Sequence, residues 1–365
     1  MIIREASPEK IPPFVFFMET LYLKSERLQD FISELSRNYE IYLPFQKDKD
    51  YFYAKFSKDN ECVSNQYRTV EPIKSFLTYA RENLGEIFSG KDYINKDKPL
   101  AIFGVKNCDL TSLRVQDFVF REGIQADPIY DTKRQNALII SSDCISYKEV
   151  CFCLALNIKP YPESGFDLNL SVLNDGFILE IGSQKGRDTI KTLRHLFVPA
   201  TATQISGRRL KRENLVEKMR TYLSGLNLAP AGSLQAAAKN GYHNMELWTH
   251  FMLTCVECGA CNFICPACHC FLLEDRLRKN ICVRSKVWDS CLYLNYAKVA
   301  GGANPLNTRA KRLRNRFMKK FDFFPENLGM FGCTGCGRCI EACLAKIDIR
   351  EVLKSLYEGL TAKSL

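Results

Sequence analysis

Two stretches of this chain carry four cysteines at the same spacing. Cys255-Val-Glu-Cys258-Gly-Ala-Cys261-Asn-Phe-Ile-Cys265-Pro266 reads C-x2-C-x2-C-x3-C-P, and Cys333-Thr-Gly-Cys336-Gly-Arg-Cys339-Ile-Glu-Ala-Cys343 repeats it, with Leu344 in place of the proline. The spacing suits a cubane iron–sulfur cluster. Three thiolates from one tight loop cap three irons, and the fourth cysteine, just beyond, points to the neighbouring cluster. The expected ligand sets are therefore Cys255, Cys258, Cys261 and Cys343 for one [4Fe-4S] cluster, and Cys333, Cys336, Cys339 and Cys265 for a second. Gly259, Gly335 and Gly337 fall where the backbone must turn between ligands. Zinc asks for only four tetrahedral ligands, which two matching runs exceed. Cys265-Pro-Ala-Cys268-His269 has the form of a haem attachment site, but Cys265 is already required. The glycines of 332–337 suggest a nucleotide loop only superficially, since cysteines fill it and no strand precedes it.

A second group of thiols lies far upstream. Cys108 follows the apolar run Pro99–Val105, Cys144 follows Ala137–Ile140, and Cys151-Phe-Cys153 comes soon after. If both runs are strands of one sheet, the four thiols share an edge and can meet. Three readings stay open: a third [4Fe-4S] cluster, a zinc site, or buried thiols packing as small hydrophobes. Asp109 beside Cys108 is a candidate oxygen ligand or an outer partner that tunes the site. Of the remaining cysteines, Cys62 and Cys282 read as inert thiols. Cys268, Cys270 and Cys291 have no assigned role, the first two lying where they would pack around a cluster ligand. The four histidines show no ligand spacing.

With 17 cysteines in 365 residues, clustered rather than evenly spread, the chain is not a disulfide scaffold. The first residues carry Arg4, Glu5, Glu9 and Lys10 and no export-signal pattern, and no apolar run reaches the length of a membrane helix. The expectation is a protein of the reducing cytoplasm, with no membrane span. The net charge of +10 admits nucleic acid, an anionic membrane surface or an acidic protein partner. Its densest run, Arg309 to Lys320, has Leu313, Phe317 and Phe321 at helical spacing. It reads as a helix with an apolar side and a solvated basic face, or as a grip for an acidic subunit. No nucleic-acid module accompanies the charge.

The elements that must position these residues fall into two parts. Residues 1–232 read as a mixed α/β domain. An amphipathic helix spans Ser25–Tyr39 with Ser25 as its cap, Pro99–Val105 and Ala137–Ile140 are buried strands, and Phe166–Leu173 and Phe177–Ile181 form a hairpin about Asn174-Asp175-Gly176. Pro230-Ala-Gly232-Ser233 marks a boundary. Residues 233–365 read as a mainly helical, ferredoxin-like dicluster domain, with Met245–Leu253 leading into one cysteine run and Glu341–Leu356 leading out of the other. The fold class is α+β.

With these motifs in place the whole chain resembles the family that includes the β subunit of cytoplasmic NiFe sulfhydrogenases and the A subunit of anaerobic sulfite reductase. The resemblance rests on FGVKNCDL around Cys108, CFC at Cys151–Cys153, CPACHC at Cys265–Cys270, WDSC ending at Cys291, AGGANP from Ala300 and GCTGCGRC ending at Cys339. It implies a non-catalytic iron–sulfur subunit that relays electrons. On one side would stand a flavoprotein that binds FAD and NAD(P)H. On the other would stand a terminal catalytic redox module of hydrogenase, sulfite reductase or heterodisulfide-reductase type. Two other classes stay in view: a stand-alone reductase with flavin or substrate in the first domain, and a nucleic-acid-binding protein with structural clusters.

Overall fold

The computed structural model describes residues 20–57, 64–87, 98–278 and 280–362. Cys62 and the first 19 residues lie outside them. The strands are β1 (Thr20–Lys24), β2 (Glu40–Lys47), β3 (Asp50–Lys55), β4 (Arg81–Glu86), β5 (Leu100–Val105), β6 (Leu138–Ser142), β7 (Leu168–Val172), β8 (Gly176–Ile181), β9 (Val198–Pro199), β10 (Phe271–Arg278) and β11 (Ile281–Trp288). Eight of them form one sheet in the order β3-β2-β5-β6-β7-β8-β1-β9. Its centre is parallel, β2 to β5 to β6 to β7, and its flanks are antiparallel.

β5 and the start of β6 are continuous apolar runs, and β6 is buried along its whole length, because both faces are covered. Ala101, Phe103, Leu138 and Ile140 point into one core with Phe31, Ile32 and Ile190, while Ile102, Val105, Ala137 and Ile139 point into another with Leu110, Leu113 and Tyr130. The helices doing the covering are α1 (Leu28–Leu35) and, further along, α2 (Lys74–Leu77), α3 (Asn107–Phe120), α4 (Pro128–Asn136) and α5 (Gln184–Leu193). The expected first helix is shorter than its hydrophobic pattern: Ser25–Arg27 is a 3-10 turn, and Ser25 does not cap it. The hairpin about Gly176 forms as expected, with the Leu173 amide donating to the Gly176 carbonyl at 2.8 Å.

After the long helix α6 (Ala202–Ser224) come α7 (Leu234–Gly241), α8 (Met245–Met252), α9 (Ala260–Phe263), α10 (Arg309–Met318), α11 (Phe324–Leu328), α12 (Arg338–Glu341) and α13 (Ile349–Thr361). A third core of Trp248, Leu313, Phe317, Phe321, Val352, Leu353 and Leu356 joins α8, α10 and α13. The helix expected over Glu341–Leu356 is broken: α12 ends at Glu341, and α13 starts at Ile349 behind an Asp348 cap. The C-terminal part also contains strands. β10 and β11 pair with each other, and β4 from the first part completes their sheet, so the chain is stitched across position 232.

Candidate iron–sulfur centres

The two cysteine runs fold into the same local shape. In each, a glycine in left-handed conformation, Gly259 at φ 74° and Gly337 at φ 72°, caps a four-residue helix that carries the third cysteine. The two short helices, α9 and α12, pack on each other. The fourth cysteines, Cys265 and Cys343, lie just past these helices and therefore reach towards the opposite run.

Cys255, Cys258, Cys261 and Cys343 line one space of about 570 Å³, part of it open to solvent, together with Cys339 and Arg316. The structure thus brings together the four thiols expected for the first cluster. Cys258 is exposed, and Val256 and Leu344 beside it are exposed apolar residues. Burial raises the thiol pKa of Cys255 and of Cys261.

Cys265, Cys333 and Cys336 are buried, and Cys339 is nearly so. Burial pushes Cys333 up to about 11 against the opposing pull of Lys320; it pushes Cys339 up to about 12, with Arg316, Cys333, Cys336 and Cys265 around it. Cys265 moves the other way. A hydrogen bond from Cys268, aided by Lys320, Lys74 and Arg316, outweighs burial and favours its thiolate. The second expected set is therefore also one neighbourhood. Among the described residues no three Cys, His, Asp or Glu side chains draw together as one metal ion requires. A tetrahedral zinc would hold its thiolates about 4 Å apart.

The fit to an anionic cluster is visible in the cations. The 309–320 run is helical, with its apolar stripe Leu313, Phe317 and Phe321 buried as its spacing predicts; Arg309 is exposed, but three of its basic residues turn inward. Arg312, Arg316 and Lys320 are only 2%, 6% and 5% exposed. Arg312 donates to the Leu292 carbonyl at 2.9 Å and pairs with Glu257. Arg316 donates to Asn262 Oδ1 at 3.0 Å, and its Nη2 is buried without a partner. Lys320 Nζ lies 3.4 Å from Cys265 Sγ and 2.7 Å from the Gly332 carbonyl. A buried cation without a counter-ion is costly. A cluster with four thiolates, which is negative overall, would supply the missing charge.

The upstream thiols converge on the same place. Cys108 opens α3, directly after β5, and Cys144 follows β6, so both stand at the carboxyl edge of the parallel strands. Gly104, at φ 68°, sits at the register shift that ends β5. Cys151 and Cys153 lie against the second cluster loop: the Phe152 amide donates to the Gly335 carbonyl at 2.8 Å, and a Cβ on Gly335 would meet Cys153 backbone at 2.5 Å. Burial raises all four thiol pKa values, with Cys144, Cys151 or Cys336 among the next neighbours of each. Asp109 is taken up otherwise. Its two oxygens receive the Arg338 guanidinium at 3.0 and 2.7 Å, and Oδ1 also accepts from the Ile73 amide.

Sequence reasoning missed the inward cations and the small network around Asn262. The Asn262 amide donates to Ser290 Oγ and Cys291 Sγ, while Gln116 and Lys74 donate to the Cys268 carbonyl. One signal was available, since Arg312, Arg316 and Lys320 recur every four residues, on the stripe next to Leu313, Phe317 and Phe321.

Comparison with known proteins agrees with this geometry. A family described as a 4Fe-4S dicluster domain matches residues 254–347. The chain is 30% identical to the sulfhydrogenase 2 subunit beta of Pyrococcus furiosus over 345 residues, which is 94% of this chain and 100% of the relative. The chain belongs to the sulfhydrogenase β-subunit family. It is an iron–sulfur, electron-transferring subunit of an oxidoreductase complex, not the catalytic one, and carries two [4Fe-4S] clusters in its dicluster segment. Among the described residues of this family member, no helix is long and apolar enough to cross a membrane.

Proposed function

We propose that this subunit carries electrons along three centres held by its own cysteines. Cys255, Cys258, Cys261 and Cys343 hold the first cluster, and Cys333, Cys336, Cys339 and Cys265 hold the second. Cys108, Cys144, Cys151 and Cys153 hold a third [4Fe-4S] cluster. In this arrangement residues 233–365 form the dicluster unit and residues 1–232 the unit with the third site. Each cluster supplies a one-electron couple in which no bond to the protein is made or broken. The protein's part is to fix the thiolates, aim backbone amides and cations at them, and exclude water.

The observation that carries the reading is the position of the two fourth cysteines: Cys343 lines the space of the first run, while Cys265 neighbours Cys333 and Cys339. The second loop then links onward, because the Cys336 carbonyl accepts from Arg68 Nε at 2.7 Å and lies 3.9 Å from the Cys151 thiol. The exposed Cys258 end is the face for exchange with a partner. In the cytoplasmic complex that the family likeness supports, a flavoprotein binding FAD and NAD(P)H stands at one end of this path. A terminal catalytic module stands at the other, of the sulfhydrogenase kind that the Pyrococcus relative's name describes.

Iron, sulfide and zinc analysis with EPR of the anaerobically purified full chain tests the ligand sets. About twelve irons are expected, falling to about eight in Cys151→Ser, and Cys343→Ser should alter the first cluster's signal. Unaltered signals in Cys343→Ser would sink the exchanged-ligand assignment. A chain with about eight irons that Cys151→Ser leaves unchanged would make the upstream thiols packing groups, or a zinc site if zinc is present. Bound flavin with NAD(P)H turnover by the isolated chain would favour a stand-alone reductase instead. Steeply salt-dependent nucleic-acid binding would favour a nucleic-acid protein.

A further inference from the structure

The two dicluster sites differ in their charged surroundings. Around the first, Glu257 lies in the ligand loop and pairs with Arg312, so that cation is already neutralised, and Cys258 meets solvent. Around the second, Lys320 is buried with Nζ 3.4 Å from Cys265 Sγ, and its only other hydrogen bond among the described residues goes to a carbonyl, that of Gly332. No carboxylate meets it in an ion pair there. Arg316 stands between the sites: it lines the space of the first set, and Cys339 and Cys265 of the second are also around it. Lys74 and Arg68 also stand on the side of the second site, but Lys320 is the cation whose Nζ reaches a ligand sulfur, with Cys265 and Cys333 as its neighbours.

Resting on the ligand sets given above, we propose that Lys320 holds the reduction potential of the cluster ligated by Cys333, Cys336, Cys339 and Cys265 above that of the cluster near the surface, making it the electron sink of the pair. Reduction adds one electron to a group that is already negative and moves no proton. A unit positive charge at this range, in a site shielded from water, stabilises the added electron more than the oxidised state. The lysine's hydrogen bond to the ligand sulfur acts in the same direction. Electrons arriving at the exposed cluster then run inward to the buried one and wait beside Cys336, next to the upstream thiols. Lys320 touches a ligand and no reacting atom, so it is a residue that tunes through Cys265.

Anaerobic full-length wild type, Lys320→Met and Lys320→Arg are compared in EPR-monitored redox titrations with dithionite, after iron and sulfide have been counted. Cys258→Ser, which perturbs the surface cluster, assigns the transitions. The wild type should show two separated one-electron transitions, with the higher belonging to the cluster that Cys258→Ser leaves alone. In Lys320→Met this transition should fall by about tenfold to a hundredfold in its reduction equilibrium, while the other stays. Lys320→Arg should restore most of the separation. Equal shifts in both transitions, or no shift with all clusters present, would overturn the proposal. If Lys320→Met loses its cluster, Lys320→Gln and the order of the two wild-type transitions decide, and a wild type whose surface cluster is reduced first refutes it. Failure of the ligand reading shows separately, as unaltered signals in Cys343→Ser or as fewer than about eight irons per chain before any titration.

Discussion

Gly337 shows how little freedom a ligand loop leaves. Its φ of 72° is a conformation that costs an L side chain roughly 1 kcal/mol, and a Cβ there would run into the Val150 carbonyl. The backbone of the second cluster loop is thus pressed against the segment that leads into Cys151. Gly302 offers the control, since it too has positive φ, at 81°, but nothing lies within 4 Å of the place its Cβ would take. Gly337→Ala should destabilise the protein by about 3 kcal/mol or more and reduce its iron content. Gly302→Ala should cost about 1 kcal/mol and leave the iron unchanged. Anaerobic thermal unfolding with iron analysis of both variants checks the contrast, and equal losses would show that space around Gly337 is not what matters.

Among the elements, α10 and its continuation decide most. Its three-residue apolar stripe packs on Trp248 and the α13 helix, and the neighbouring stripe of Arg312, Arg316 and Lys320 is drawn inward with it. The apolar contacts provide the driving force, and the cations ride on a surface that must be buried for that packing to form. Phe317→Ala should therefore cost about 3 to 5 kcal/mol. Arg309→Ala, at the exposed start of the helix, should fall within about 0.5 kcal/mol of wild type, although its Nη1 donates to the Cys255 carbonyl. Denaturant midpoints measured under nitrogen distinguish these outcomes. A large effect at Arg309 would mean that its hydrogen bond, not the packed face, anchors the first loop.

On the scale of the whole molecule, the two sequence halves are tied by ion pairs that cross between them. Arg338 of α12 meets Asp109 of α3, and Glu341 of α12 pairs with Arg68 and Lys148. Burial alone would raise the Glu341 pKa, but Arg68 and Lys148 outweigh it and hold the carboxyl below its ordinary value of 4.5. A carboxylate with a lowered folded pKa stabilises above its unfolded pKa, and that contribution disappears as pH falls through the folded value. Glu341→Gln should lower the unfolding midpoint at pH 7 by an amount worth at most about 1 kcal/mol after solvent screening. The gap to wild type should stay level down to about pH 5.5 and close below about pH 4.5. A gap that persists unchanged into acid would assign the effect to side-chain shape rather than charge.

The chemistry of this protein was legible from residue types and spacing because a cubane constrains both. Three cysteines within seven residues and a fourth four further on have few other uses, and the repeat of that run already paired Cys343 with the first set and Cys265 with the second. The strands Pro99–Val105 and Ala137–Ile140 and the turn at Gly176 were readable for a similar reason, since period and turn chemistry are local properties. What the sequence could not decide was which faces meet. A basic stripe beside an apolar one looks solvated until packing forces both inward, so the charge environment of the second cluster appears only in the folded molecule. The β10–β11 hairpin depends on β4, nearly two hundred residues earlier, and such a partner leaves no trace in local periodicity. The place of Cys151 and Cys153 beside Gly335 is likewise decided by a contact between distant segments, where backbones approach so closely that only glycine fits.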